Sequence, residues 1–248
     1  MRRFFIDVEN LQDDKIKIDI NEGNHIANTL RLRPGDEVDF FDGRGNEYKG
    51  VLLPKEKGFL WARIVSVSLR DNMPALKLHL YQSLTKGGKM DYILQKSVEL
   101  GVAAFTPVIS RYSVVTLDER KAGYKLRRWR EIAKAACKQC GRNTLMDIEP
   151  VQGWNEIMPA MAGKKFVVLY ENEKKITLRS VIKNWLQEQA REVHLFVGPE
   201  GGYSGTEIGT AQECGGLTAG LGPRVLRTET AGLIAAGIMF YEWGDMDK

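Results

Sequence analysis

The first third of the chain alternates short apolar stretches with turn residues. Runs rich in β-branched and aromatic residues predict strands at Arg3–Val8, Glu37–Phe41, Tyr48–Leu53 and Phe59–Leu69. Gly43 and Gly45 lie between the second and third runs, where a hairpin loop needs residues that tolerate positive φ. The pattern therefore predicts a small antiparallel β-barrel.

A polar stretch that ends at Pro74 separates this region from a fresh apolar strand, Leu76–Tyr81. We place a domain boundary there, which gives domains at residues 1–72 and 73–248. Beyond it, helical and strand patterns alternate, which predicts an α/β domain with a mostly parallel sheet covered by helices. The predicted elements are a helix over Met90–Val98 capped by Gly101, then Val102–Ile109 (strand), Tyr124–Gly141 (helix), Lys165–Tyr170 (strand), Leu178–Ala190 (helix), Glu192–Val197 (strand) and Thr230–Trp243 (helix).

Two glycine-rich segments each lead into a predicted helix. In the first, the strand before Gly198 runs into Gly201 and Gly202, and Ser204 with Glu207 forms a capping box. The second is Gly220–Gly232, and two such loops can enclose one pocket at the carboxyl ends of parallel strands. Neither segment is a phosphate-binding P-loop or a dinucleotide motif, and Gly87-Gly88-Lys89 fails the P-loop test because Met90 follows.

The final predicted helix is apolar nearly all round between Ala231 and Trp243. Such a helix must be buried, either under the sheet or in a dimer interface. No apolar run reaches the length of about 18 residues that a membrane span needs, and charge follows the start too soon for a signal peptide. Three cysteines form no disulfide framework, so we expect a cytosolic protein.

Charge is more informative in its distribution than in its net value of +4. Along the helix that ends near Gly141, basic residues advance by four on one stripe, and a second basic group lies in the predicted barrel. Each group alone fits a solvated face equally well, but two in two domains favour a nucleic-acid partner. The predicted RNA-binding residues are Arg2, Arg3, Arg31, Arg33, Arg130, Lys134 and Lys138.

The scattered histidines and the Cys137–Cys140 pair lack companions with metal-ligand spacing, so no metal site is predicted. Composition and periodicity alone predict a ligand-binding α/β domain with a basic surface, and they do not predict a specific function.

Several motifs in order resemble the bacterial 16S rRNA (uracil(1498)-N(3))-methyltransferase family, RsmE, of the SPOUT superfamily. They are Arg2–Phe5, His25 with Leu30–Asp36, Phe41–Gly45, Gln95–Gly101, Gln139 with Arg142, Val197–Gly202 and Leu226–Ala231. One departure is visible, because Thr144–Asp147 follows Arg142 where family members usually have a proline.

The resemblance implies a small N-terminal PUA-like β-barrel and a SPOUT-type α/β-knot methyltransferase domain with a deep C-terminal trefoil knot. It also implies S-adenosylmethionine as cofactor, 16S rRNA of the small ribosomal subunit as substrate, and a homodimer packed through the knotted region. The cofactor-binding residues that it implies are Leu169, Tyr170, Val197, Gly198, Gly201, Gly202, Leu221, Gly222, Leu226 and Ala231.

Methylation of uracil N3 requires removal of its proton. An arginine beside O2 or O4 stabilises the resulting anion, and Arg142 is the first candidate and Arg227 the second. Glu229, with Glu200 as the alternative, would accept the proton or orient the base. The alternative roles are a phosphate contact for Arg142, a loop ion pair for Arg227 and a helix cap for Glu229.

Two other functions stay open at this point. One is a different SPOUT RNA methyltransferase that acts on a ribose 2′-O or on another base. The other is a non-catalytic RNA-binding or ribosome-assembly factor. A small-molecule methyltransferase would not explain the basic barrel.

Overall fold

The computed structural model describes residues 3–70, 72–113 and 118–247. It divides into two compact units: the first contains residues 1–73 and 134–145, and the second contains residues 74–133 and 146–248. The predicted domains 1–72 and 73–248 placed residues 134–145 in the second domain, whereas in the structure these residues belong to the first unit. Arg2, one of the predicted RNA-binding residues, lies outside the described residues.

The first unit is built on a six-stranded sheet in the order β1-β4-β5-β6-β3-β2. Its elements are β1 Arg3–Phe5, β2 Leu11–Gln12, β3 Lys15–Ile18, α1 Ile20–Asn24, β4 Glu37–Phe41, β5 Asn46–Glu56 and β6 Phe59–Leu69. Helical turns at Val8–Asn10 and His25–Thr29 join them. Phe4, Ile16 and Phe40 are buried in its core because alternate strand residues face the same side, and Ile26 joins them from the helical turn His25–Thr29.

Most neighbouring strands of this sheet are antiparallel, as predicted. The exception is β1, which pairs with β4 in parallel and places Phe4 beside Phe40. The prediction of an all-antiparallel barrel is therefore wrong for the first strand. A chain start that pairs with a strand about 35 residues later leaves no local turn signal in the sequence.

The second unit contains an entirely parallel sheet among its described strands, in the order β10-β8-β7-β12-β11-β13 with β9 beside β8. This confirms the predicted α/β class. Its elements are β7 Lys77–Ser83, α2 Lys89–Leu100, β8 Ala104–Ile109, α3 Glu119–Cys140, β9 Asp147–Ile148, β10 Gln152–Gly153, α4 Trp154–Ile157, β11 Phe166–Leu169, α5 Leu178–Gln187, β12 Glu192–Val197, α6 Gly205–Glu213, β13 Leu217–Ala219 and α7 Thr228–Glu242. The part of α3 from Lys134 onward belongs to the first unit. Helical turns at Met158–Met161 and Asp245–Asp247 complete the described chain.

Aromatic residues of neighbouring strands pack on one face of this sheet. The rings of Tyr81 and Phe196 stack with centroids 4.3 Å apart, and Phe166 and Trp154 contact Phe196 edge-on. Burial raises the pKa of Tyr81 to about 12, so its phenol stays neutral. This aromatic layer joins the strands β7, β11 and β12 through side-chain contacts.

Helix α7 buries one face and exposes the other. Gly232, Ala235, Ala236, Met239 and Phe240 are buried, whereas Ile234, Ile238 and Tyr241 are 40–61% exposed. The exposed residues recur at positions i, i+4 and i+7, so they form one apolar stripe. The sequence correctly predicted an apolar helix, but the single chain covers only half of it.

His194 makes the second unit sensitive to acid. Its side chain is 3% exposed, and its ring packs against those of His79 and Tyr81. Burial, with a smaller contribution from the nearby charge of His79, lowers its pKa to about 3. The folded chain therefore keeps His194 neutral at pH values where the unfolded chain binds a proton.

We expect this histidine to contribute stability above pH 6.5 that is lost as the pH falls towards 3. The loss between pH 6.5 and 4.5 is about 2–3 kcal/mol for one group with such a shift. Urea unfolding of the wild type and of His194→Phe over this pH range tests it. The variant should show a smaller decline, and identical declines would contradict the assignment.

No helix among residues 3–70, 72–113 and 118–247 is long and apolar enough to cross a membrane.

Candidate functional site

A cavity of about 510 Å³ opens in the second unit at the carboxyl ends of three neighbouring strands, β12, β11 and β13. Open parallel sheets bind ligands at this edge because the loops there surround a crevice and present free backbone groups. Three loops form the walls: one follows Leu169, one follows Val197 and one follows Ala219.

All ten residues that the resemblance implied for the cofactor line this cavity. The cavity lining also includes residues beyond those ten, of which the last five lie in the predicted glycine-rich segment Gly220–Gly232: Lys89, Glu171, Lys174, Pro199, Ala219, Gly220, Pro223, Arg224, Val225 and Thr228. The predicted Arg227 and the alternative Glu200 are in the lining too, whereas Glu229 is outside it. The only sequence signal for Lys89 was the Gly87-Gly88 pair before it.

Glycines fit the loops closely around the cavity. A Cβ atom on Gly220 would lie 2.6 Å from the backbone oxygen of Glu173. A Cβ on Gly202, where φ is +69°, would overlap the carboxylate of Glu171. At Gly222 φ is +103°, a left-handed conformation that only glycine adopts without strain. The glycine-rich sequence is therefore a requirement of this wall.

A buried hydrogen-bond chain joins the walls. The Thr228 hydroxyl donates to the backbone oxygen of Gly198 at 2.5 Å and accepts from Nε2 of Gln82 at 2.9 Å. Gln82 is fully buried in β7, so the start of α7 is fixed both to the sheet and to the loop after β12.

The predicted capping box at the start of α6 is confirmed. The Glu207 carboxylate accepts from the Ser204 backbone and hydroxyl at 2.8 Å, and the Ser204 hydroxyl accepts from the Glu207 backbone at 3.3 Å. Glu207 also accepts the backbone N–H of Arg111 at 2.8 Å, which ties the loop after β8 to this helix. The second wall is therefore anchored at both ends.

Charged side chains meet beside the cavity. Lys89 Nζ lies 2.9 Å from Glu200 Oε1 and 3.3 Å from Glu229 Oε2, and Arg227 Nη1 lies 4.0 Å from Glu229 Oε1. Burial raises the pKa of Glu200, but hydrogen bonds from Lys89 and from backbone N–H groups outweigh it and leave that pKa below its usual value. The hydrogen bond to Glu200 in turn raises the pKa of Lys89. Both shifts keep the Lys89–Glu200 pair ionised at neutral pH.

Comparison with known proteins identifies the family. Residues 72–240 match an RNA methyltransferase domain and residues 18–65 match an RNA methyltransferase PUA domain. The chain is 34% identical to the ribosomal RNA small subunit methyltransferase E of Bacillus subtilis over 98% of its own length and 97% of the relative's. The chain belongs to the ribosomal RNA small subunit methyltransferase E family. It is an RNA methyltransferase with an N-terminal PUA domain.

Two further family members support this membership. The methyltransferase E of Buchnera aphidicola from Schizaphis graminum is 30% identical over 90% of this chain and 89% of that protein. A crystal structure of the Neisseria gonorrhoeae methyltransferase E, bound to S-adenosyl methionine, superposes with a TM-score of 0.86 at 36% identity and covers 98% of both chains. The expected resemblance is therefore confirmed over nearly the whole chain.

Arg142, the first catalytic candidate from the family resemblance, lies in the first unit, whereas Arg227 and Glu229 lie in the second. It is 4% exposed, and its Nε donates to the backbone oxygen of Thr144 at 2.6 Å. Leu145, in the segment where the expected proline is missing, donates its backbone N–H to Gly43 at 2.9 Å. The catalytic role of Arg142 stays a prediction.

Arg3 was predicted to contact RNA, but it is 2% exposed. Its guanidinium donates to the backbone oxygens of Cys137 at 2.7 Å and Arg142 at 2.9 Å and to the Asn143 side chain, and it stacks on the Phe41 ring. Arg3 therefore organises the interior of the first unit, and we remove it from the RNA-contacting set.

The other described RNA-binding candidates differ in their exposure and in their contacts with neighbouring side chains. Arg31 and Arg33 are exposed, and Arg130 is exposed with a long 3.4 Å hydrogen bond to the Ile148 backbone. Lys138 pairs with Glu22 at 2.7 Å, and Lys134 lies over the Phe5 ring. The exposed arginines are the best placed of this set for phosphate contacts.

Proposed function

We propose that this methyltransferase transfers the methyl group of S-adenosylmethionine to N3 of a uridine in 16S rRNA of the small ribosomal subunit, at the position numbered 1498 in the family. The observation that carries the proposal is the coincidence of all ten expected cofactor residues with one cavity at the carboxyl edge of the sheet. Because the substrate is a ribosomal subunit, we also propose a cytoplasmic location.

The residues present fit the cofactor. A volume of about 510 Å³ lies within the range of small-molecule sites. Leu169, Leu226 and Ala231 offer apolar surface, and the glycine turns leave backbone groups open to a polar ligand. The gonorrhoeal relative, which covers this chain almost fully, holds S-adenosyl methionine in its crystal structure. When bound, the cofactor supplies an electrophilic methyl group.

We propose further that the cavity loops belong to a deep trefoil knot. β13 lies at the edge of the sheet, yet the helix that follows it, α7, packs back against the central strands β7 and β12. The hydrogen bond from Thr228 to Gly198 lies where this return passes the loop after β12. The proposal that the chain end passes through a loop to form the knot is supported by this return path and by the family resemblance.

The residues beside the cavity suit removal of the uridine N3 proton. Glu229 carries a carboxylate that can accept it, and the Arg227 side chain is 83% exposed and can approach O2 or O4 of the base. Placing a cation there stabilises the uracil anion and so lowers the pKa of N3. Arg142 is the second candidate for this role in our proposal, since its burial leaves less of its guanidinium accessible.

We propose that domain 73–248 carries out the transfer and that domain 1–72 contributes RNA contacts, with Arg31 and Arg33 as its exposed cations. The test is methyl transfer to small ribosomal subunits from a strain that lacks its own family enzyme. Mass spectrometry of the digested nucleosides should detect 3-methyluridine. A different methylated nucleoside would replace the proposed target. Tight RNA binding without any transfer would favour a non-catalytic assembly factor.

We also propose a homodimer that packs through the exposed stripe of α7. Ile234, Ile238 and Tyr241 form an apolar surface on the last helix of the fold, and such a surface is stabilised by a partner. Light scattering should give about twice the 28.0 kDa chain mass, and Ile238→Glu should halve it. A wild-type mass of a single chain would contradict the dimer.

A further inference from the structure

Lys89 lies beside the cavity at the start of a helix in the second unit. It is the first residue of α2, directly after the Gly87-Gly88 turn at the carboxyl end of the central strand β7. Gly87 has a φ of +68°, so the turn brings the chain sharply into the helix. The Lys89 side chain lines the cavity although its sequence motif matches no known ligand loop.

Its ammonium group joins two other elements. Glu200 comes from the loop after β12 and Glu229 from the first turn of α7, and Lys89 lies within 2.9 Å and 3.3 Å of them. The three side chains are 19–35% exposed. Partly exposed ion pairs contribute little to folding stability, so the bridge has more effect on orientation than on unfolding.

Glu229 is the member of this bridge that bears on chemistry. Its Oε2 is buried and accepts no hydrogen bond from the described residues, although the Lys89 ammonium lies 3.3 Å away. A carboxylate oxygen with a free lone pair is suited to accept a proton. It is not committed to capping α7, because Oε1 faces Arg227 and Oε2 faces Lys89.

We propose that Lys89 is a positioning residue for methyl transfer. By pairing with Glu200 and Glu229 at once, it holds the Glu229 carboxylate beside the cavity, where it receives the N3 proton. The proton passes from N3 to the Glu229 carboxylate. The electron pair that it leaves on N3 forms the new bond to the methyl carbon, while the bond between that carbon and the cofactor sulfur breaks and its electron pair stays on sulfur, giving S-adenosylhomocysteine as the leaving group. This inference rests on the proposed function.

The test compares Lys89→Met with Lys89→Arg, using small subunits as substrate. The first variant should lower kcat about 10- to 100-fold, a typical effect of a misplaced proton acceptor. Because the proposed role of the bridge is to orient a carboxylate, the Kd for S-adenosylmethionine by calorimetry should change less than about threefold, which is under 0.7 kcal/mol. Lys89→Arg keeps the cation and should recover most of the rate.

Lys96→Met is the matched control, because Lys96 lies on the same helix and pairs with Glu99 at 2.7 Å away from the cavity. It should keep the wild-type rate. The inference is overturned if Lys89→Met keeps its kcat, if it loses cofactor binding as strongly as rate, or if Lys89→Arg is equally slow.

Glu200→Gln breaks the other half of the bridge and provides a second test if Lys89→Met does not fold. It should lower kcat and leave cofactor affinity unchanged, and an unchanged kcat would overturn the inference. Absence of 3-methyluridine with the wild type would refute the proposed function itself, before any variant is compared.

Discussion

Glu229→Gln is expected to lower kcat by about 100-fold or more, with cofactor affinity nearly unchanged. The amide that replaces the carboxylate is nearly identical in size but cannot accept the N3 proton. The pairing of Glu229 with Lys89 at 3.3 Å and with Arg227 at 4.0 Å places this carboxylate between two cations that line the cavity. Single-turnover transfer to small subunits measures the chemical step, and calorimetry measures the affinity.

Glu99→Gln serves as the control, because Glu99 pairs with Lys96 on the surface of α2. This variant should keep the wild-type kcat and cofactor affinity. The two candidate arginines, Arg142 and Arg227, can be compared in the same assay. If Arg227 stabilises the uracil anion, Arg227→Ala should slow the chemical step. A normal single-turnover rate for Glu229→Gln would show that Glu229 takes no part in the mechanism.

Local pattern was sufficient for many elements of the fold. The strands β4, β6 and β12 coincide with the predicted apolar runs, because alternation and turn residues mark both of their ends. Gly101 caps α2 in the left-handed conformation as predicted, and a Cβ there would come within 2.5 Å of the Pro74 ring. The strand ends and the left-handed cap depend on neighbours in sequence, whereas the contact with Pro74 depends on the fold.

Features that depend on distant residues were not predictable. β13 has only three residues and gains its place by pairing with β11. The return of residues 134–145 to the first unit occurs inside one continuous helix, α3, where no composition change marks it. Arg3 looked like a surface cation, since nothing local shows that backbone oxygens about 135 residues away receive its guanidinium.

In the candidate site too, the features set by local sequence were predictable and those set by distant residues were not. Glycine-rich turns after strands indicated the cavity walls, because their conformational role can be read locally. The resemblance added which residues of those turns line the cavity. Lys89 was considered only as part of a failed P-loop, since its partners Glu200 and Glu229 lie more than 110 residues away. Ion pairs between loops are a property of the folded sheet edge.

Gly220→Ala is expected to weaken binding of S-adenosylmethionine by about 10- to 100-fold. The new Cβ would lie 2.6 Å from the backbone oxygen of Glu173, and overpacking of this kind costs about 1–3 kcal/mol. Hydrogen bonds restrain both sides of the clash. Gly220 donates its N–H to Ile176 at 2.9 Å, and the Glu173 carboxylate accepts from Thr218 at 2.7 Å.

The Glu173 turn is held further by backbone N–H groups of Lys175 and Ile176, which donate to the same carboxylate. The hydrogen bond from Thr218, followed by these backbone bonds, lowers the pKa of Glu173, so the turn stays intact well below neutral pH. The loop after β13 must therefore shift away from Glu173 and change the shape of the cavity.

Gly209→Ala is the matched control for this prediction, because Gly209 lies in α6 with open space around its Cβ position. Alanine favours a helix over glycine by about 1 kcal/mol, so this variant should melt slightly higher and bind the cofactor normally. A Gly220→Ala chain that folds and still binds S-adenosylmethionine with wild-type affinity would show that the wall after β13 takes no part in the cofactor site.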